Sequence, residues 1–242
     1  MLSIPQTATL SIAQITVLTT MMLVAHTFLI ELVIARKSGI KLPVMFAIRF
    51  GFGLLIGIIL HLFYSGFGLL QSKVESFASK LVVHTPETLL EWTLSQLKNY
   101  SFIFLMILSL VLLVKILKSV GLIDLMKKVL SKPLKIIGIG ENAIPITIIG
   151  LTLGISYGGA MIVKESQKSN VSNRDVFHVM LLLGLCHSLF EDTILVMSLG
   201  GHWSGVLVIR IIFAFLVTLG FAYFTKKLSD KKFNSSLMVS KK

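Results

Sequence analysis

His26 and Glu31 lie inside one apolar stretch of this chain, and Cys186, His187, Glu191 and Asp192 lie inside another. An ionised group at mid-bilayer costs about 2.5–3.5 kcal/mol or more, so such residues face a cavity, pair with one another or mark a pathway. Imidazole and carboxylate together suit Zn, Mn or Fe(II), and the same groups serve as proton relays. His187 and Glu191 are four apart, on one face of a regular helix, and would be the first residues assigned to a metal. Asp192 follows His187 by five, as Glu31 follows His26. That spacing turns the carboxylate about 140° away on an ideal helix, so a break or bulge is needed to bring them together. The competing reading is an ion-pair cluster that joins Arg49 or Arg210 to Glu31 or Glu191.

A second candidate is Ser156-Tyr157-Gly158-Gly159. In a re-entrant segment its backbone amides could hold an anionic or hydroxyl-rich group; the alternative is a close-packed helix seam. His61, His84, His178 and His202 sit nearer segment ends and read as interfacial. His187-Ser188-Leu189-Phe190-Glu191 is not HExxH, which needs a second His. No GxSxG is present, and Gly138-Ile139-Gly140 lacks the rest of a dinucleotide fingerprint. The chain is therefore not read as an enzyme, with no catalytic residues and no cofactor beyond a coupling proton or cation.

These residues need a membrane bundle to hold them. The 242 residues are 55% hydrophobic and 14% charged, with mean hydropathy +0.89. That excludes both an ordinary soluble enzyme and a disordered chain. The single Cys186 excludes an intrachain disulfide. Residues 1–13 carry no Lys or Arg, so a cleavable signal peptide is not expected. The net charge of +12 comes from basic blocks beside apolar segments, as in cytoplasmic anchors, rather than from a nucleic-acid-binding motif.

Four segments are plain spans: 10–35, 44–70, 101–117 and 206–223. A fifth, 175–199, carries the second polar cluster. A sixth, 144–163, contains Gly150, Gly154, Gly158 and Gly159 and reads as broken or re-entrant. Segment 71–99 and the basic segment 120–135 read as interfacial, with a helix start at Thr85-Pro86-Glu87. Six simple spans would put the basic tail opposite Arg36, Lys37, Lys41 and the Lys115–Lys135 block. If 144–163 enters and leaves by one face, every basic block is cytoplasmic.

Shifting the chain by 161 residues aligns 26–64 with 187–225 without a gap. His26 meets His187, Thr27 meets Ser188, Glu31 meets Asp192, Gly39 meets Gly200 and Arg49 meets Arg210. Polar coincidences inside apolar helices point to duplication. The repeat copies cover about 10–70 and 172–227 of a single membrane domain, 1–242. With one re-entrant segment between them, the copies are inverted, as in many secondary transporters.

The stretch from about 102 to 165 resembles the Gate domain, or nucleoside recognition domain. It carries an apolar helix through Val114-Lys115-Ile116-Leu117, then Leu130-Ser131-Lys132-Pro133-Leu134, then Ile137-Gly138-Ile139-Gly140-Glu141-Asn142-Ala143. It ends in the glycine-rich run Ile149 to Ala160. Similar domains occur in concentrative nucleoside transporters, the membrane part of ferrous iron transporter B and spore maturation membrane proteins. His187-Ser188-x-x-Glu191-Asp192-Thr193 looks like the corresponding string of small stand-alone bacterial members. A GTPase domain, a matching gate-helix Cys and a Gln-Thr-Glu substrate motif are absent, so neither iron nor nucleoside carries over.

The expectation is an all-α polytopic membrane protein of five to six segments, one of them broken or re-entrant, with an internal inverted repeat. Its expected function is that of a small secondary transporter or transporter subunit in a bacterial cytoplasmic membrane. It would move a polar solute or ion through a site of His26, Glu31, His187, Ser188, Glu191 and Asp192, with Ser156, Tyr157, Gly158 and Gly159 nearby. The partners are lipid and a second copy or another Gate-domain protein, not nucleic acid. The rival readings are a non-transport scaffold of spore-maturation type and an intramembrane metalloenzyme.

Overall fold

Ser11 and Ser172, at equivalent positions of the repeat, start their helices in the same way. Each side chain accepts from the backbone N–H three residues on. The side chain there, Gln14 or Asp175, accepts from the serine N–H in return. The computed structural model describes residues 10–74, 88–166 and 171–239. The first copy is α1 (Ile12–Ala25), α2 (Phe28–Lys37) and α3 (Leu42–Gly66). Then follow α4 (Leu89–Ser119), α5 (Leu122–Ile136), a short turn of helix at Glu141–Ala143 and α6 (Ile144–Ser166). The second copy is α7 (Asn173–Leu185), α8 (Glu191–Ser198), a π-helical turn (Ser204–Ile209) and α9 (Arg210–Lys226); α10 (Asp230–Leu237) closes the chain.

The chain is an all-α membrane protein. Three helical stretches, Ile12–Lys37, Leu42–Gly66 and Ser204–Lys226, are long and apolar enough to cross a membrane. Leu29, Phe46, Phe50, Leu62 and Leu216 are exposed on their outer faces, where lipid takes the place of water. Helix α7 lies at the centre: Val176 to Leu185 are all buried, as expected of a helix apolar all round.

Hydrogen bonds fix which ends of the helices lie together. At one end, Lys41 N–H donates to the Leu237 carbonyl (3.0 Å) and Val239 N–H to that of Gly39 (2.7 Å). Asn173 joins Asn234 (2.8 Å), and Arg174 joins the Leu228 carbonyl (2.7 Å) and Asp230. At the other end, Ala13 N–H reaches Leu70 (2.8 Å), His202 N–H reaches Thr16 Oγ1 (2.9 Å) and Tyr64 bonds Ser204 (2.7 Å). So α1 and α2 run towards the first end, and α7 and α8 run away from it. The two copies are inverted. The first end carries Arg36, Lys37, Lys41, Arg174, Lys226 and Lys227.

Helix α6 enters and leaves by this basic end. Gly140 N–H donates to Asp175 (2.6 Å) at the start of α7. Further along, Leu189 N–H donates to the Leu151 carbonyl (2.8 Å). The helix then breaks at Gly154 (φ 76°, ψ 171°), and Gly159 packs on Ile34 of α2. Val163 lines a surface groove with Lys37, at the basic end of α2. Chain length requires the same: six residues carry Ser166 to Ser172, a reach of at most about 22 Å, short of the roughly 30 Å hydrocarbon core.

Several expectations are corrected. Segment 10–35 is two helices broken at His26-Thr27, and 175–199 is two helices broken at 186–190. His178 is buried, not interfacial: its ring joins the Gly138 carbonyl (2.8 Å) and Thr225 Oγ1 (3.0 Å), tying α9 to the link before α6. In that link Lys135 pairs with Glu141, and its hydrogen bond and charge hold the Glu141 carboxyl below its ordinary range. His84 and Thr85-Pro86-Glu87 fall outside the described residues. Span 101–117 lies within α4, and the basic segment 120–135 forms α5.

Candidate functional site at three helix breaks

The first break is made by Thr27, a β-branched residue in the left-handed region (φ 52°, ψ 21°). At the equivalent position of the second copy Ser188 has φ 49°. Such backbone costs about 1–3 kcal/mol and persists where neighbours over-determine it. Thr27 Oγ1 donates to Glu31 Oε1 (2.7 Å), which ties the break to the carboxylate. Ser188 N–H reaches the Gly150 carbonyl (3.4 Å), which docks the second break on α6. The break in α6, at Gly154, lies at the same level. A Cβ there would stand 3.2 Å from Ser188 Cβ and 3.8 Å from His187 Cδ2.

Each break leaves carbonyls at a helix end without helical partners. Arg49, fully buried in α3, donates from Nε to the Val24 carbonyl (3.1 Å) and from Nη2 to Val24 (2.5 Å) and His26 (3.2 Å). Arg210, fully buried at the start of α9, donates from Nε to Leu185 (3.2 Å) and from Nη2 to His187 (3.0 Å). Leu185 and His187 are the repeat equivalents of Val24 and His26.

The two copies meet at the histidines. The rings of His26 and His187 stack with centroids 4.9 Å apart. His26 Nδ1 lies 3.2 Å from the Met22 carbonyl and 3.1 Å from that of Leu23, and His187 Nδ1 lies 2.9 Å from the Leu183 carbonyl. A carbonyl only accepts, so each Nδ1 carries a proton and each Nε2 is turned to the acids. His26 Nε2 stands 3.2 Å from Asp192 Oδ2, and His187 Nε2 stands 3.8 Å from the same oxygen and 3.4 Å from Glu31 Oε1.

The copies differ in one respect. Glu31 is fully buried in an ion pair with Arg49. The equivalent Asp192 faces His26 instead, and Arg210 Nη1 has no hydrogen-bond partner among the described residues.

These groups line a cavity of about 170 Å³ with Ser188, Glu191 and Gly154, well under the roughly 300–1,000 Å³ of drug-sized ligand sites. His26, Glu31, His187, Ser188, Glu191 and Asp192 are thus brought together. Glu191 lines the cavity, but the residue paired with His187 is Asp192, because the break removes the regular four-residue register. Gly159 lies in the seam against Ile34, not in the cavity lining. Ser156, Tyr157 and Gly158 continue the helix beyond the break, and their side chains are outside the described residues. The sequence reading missed Thr27 and Gly154 as parts of the site. Alignment of Thr27 with Ser188 was the signal for the first.

Broken helices of inverted copies around polar groups define an all-α membrane protein with a buried ionisable centre. The chain is similar to a protein of Bacillus subtilis (strain 168) described as uncharacterized membrane protein YvoD, with 27% identity over 227 residues, 91% of this chain and 71% of that one. No family model matches the chain, and no solved structure gives a significant match.

Proposed function

We propose that this chain is a small secondary transporter, or the membrane subunit of one, moving a polar solute or ion by alternating access. The observation that carries the reading is the meeting of two broken helices, from oppositely oriented copies, at His26 and His187. Discontinuous helices of inverted repeats place sites near the midplane in secondary transporters. The re-entrant α6 and the resemblance of 102–165 to Gate domains support the same reading. The basic end faces the cytoplasm by the positive-inside rule, in a bacterial cytoplasmic membrane, with a second copy or another Gate-domain protein as partner. In this reading the chain is not an enzyme and needs no resident cofactor.

The asymmetry between copies supplies the two states. In the present state Arg49 holds Glu31 and Arg210 Nη1 is free. Exchange of the roles of the inverted copies gives the oppositely facing state. There Arg210 holds Asp192, and Glu31 is released towards His187. Cargo or a coupling ion biases this exchange through its differential contacts with the two states.

Side-specific labelling tests the reading. Cys186 is 2% exposed and stays silent to a membrane-impermeant maleimide. Glu191→Cys is expected to label from one face of the membrane. Adding Arg49→Gln, which releases Glu31, moves labelling to the other face. Labelling from the same face in both forms overturns alternating access.

A further inference from the structure

We propose that His26 Nε2, His187 Nε2 and an oxygen of Asp192 form a binding site for a divalent transition-metal ion, the cargo of this centre. The inference rests on the transporter reading of the same site and adds the class of ion. One ligand atom from each of the three residues lies within 4.8 Å of the other two. Tetrahedral ligands at 2.0–2.1 Å from a metal are about 3.4 Å apart. The separations from Asp192 Oδ2, 3.2 Å to His26 and 3.8 Å to His187, already bracket that spacing.

The orientation of both rings is the second argument. Backbone carbonyls of Met22, Leu23 and Leu183 hold the Nδ1–H of each imidazole. Outer hydrogen bonds of this kind fix the tautomer and ring angle of metal-binding histidines. Both Nε2 lone pairs and the carboxylate oxygens then face one another. Acceptors that close repel unless a cation lies between them. His187 is 3% exposed, so water does not relieve the repulsion at its ring.

Two neutral imidazoles and one carboxylate select Zn, Mn, Fe(II) or Co over Mg or Ca. Three protein ligands leave a coordination position open. Glu31 Oε1, 3.4 Å from His187 Nε2, is the nearest further acceptor. Its pairing with Arg49 keeps it from completing a closed site in this state, which suits an ion that must leave.

The test is equilibrium binding to the full chain, purified in detergent and stripped with chelator. Co(II) is titrated and followed by its visible ligand-field absorption, and bound Zn is counted by mass spectrometry after desalting. Wild type is expected to hold one ion per chain. Asp192→Asn, which keeps the shape, and His187→Ala are each expected to weaken binding at least tenfold, while Glu141→Gln, on the exposed link, binds as wild type does. No metal on wild type, or unchanged binding by Asp192→Asn, overturns the proposal. Since this assay needs no transport, a negative result with exchange of the labelled face intact removes the ion and leaves the transporter.

Discussion

Arg49 and Arg210 stand 161 residues apart and do the same work in opposite orientations. Each guanidinium reaches back to the two carbonyls that its own copy's helix break leaves open, those of Val24 and His26 or of Leu185 and His187. They part company over their acids: Arg49 is paired with Glu31, whereas Arg210 keeps an unpartnered Nη1.

Arg49→Gln leaves the fully buried Glu31 carboxylate without its cation. Breaking a buried pair from one side costs roughly 3–5 kcal/mol. Thermal unfolding in detergent should show a marked loss for Arg49→Gln and a smaller one for Glu31→Gln/Arg49→Gln. Equal losses in the single and double variants would show that the carbonyl bonds, not the ion pair, carry the effect.

Gly154 holds the break in α6 at φ 76°. A side chain in that region costs about 1–2 kcal/mol, and a Cβ would also press on Ser188 Cβ at 3.2 Å. Gly154→Ala should lower stability by that order and abolish the labelling of Glu191→Cys, because Ser188 borders the cavity. Wild-type stability and labelling would place the bend elsewhere.

Gly159→Ala would set a Cβ 2.4 Å from Ile34 Cδ1. Overpacking of this kind costs about 1–3 kcal/mol. Trimming the neighbour with Ile34→Ala should restore part of the loss, giving a coupling of at least about 0.5 kcal/mol in a double-mutant cycle. Additive losses would separate the second half of α6 from α2.

The inverted, re-entrant topology makes a prediction about sidedness. Single cysteines at Lys37, Lys164 and Lys227 should label from one face of sealed vesicles, and a cysteine at Ser65 from the other. Opposite labelling of Lys37→Cys and Lys164→Cys would require α6 to cross the membrane.

Much of the site was legible because ionisable residues are costly in apolar segments and therefore conspicuous. His26, Glu31, His187 and Asp192 stand out on that ground alone, and their common offset of 161 residues ties them into one repeat. Charge bookkeeping also reached the re-entrant path of 144–163, since basic residues resist transfer across a membrane whatever the packing.

The breaks themselves were not legible. Ala25-His26-Thr27-Phe28 carries no glycine or proline, and local propensity gives no reason for Thr27 to turn left-handed. Its conformation is held by partners distant in sequence, the Arg49 side chain on the carbonyls of Val24 and His26 above all. The same fact decides Asp192 over Glu191: a regular helix favours the acid four residues from His187, and the break substitutes the one at five. The sequence by itself determined the apolar helices, the inventory of charges and the duplication, because hydrophobic transfer and composition are local properties. Only the tertiary structure decided which acid meets which histidine and which arginine is left unpaired, because those contacts depend on how two inverted copies pack against each other.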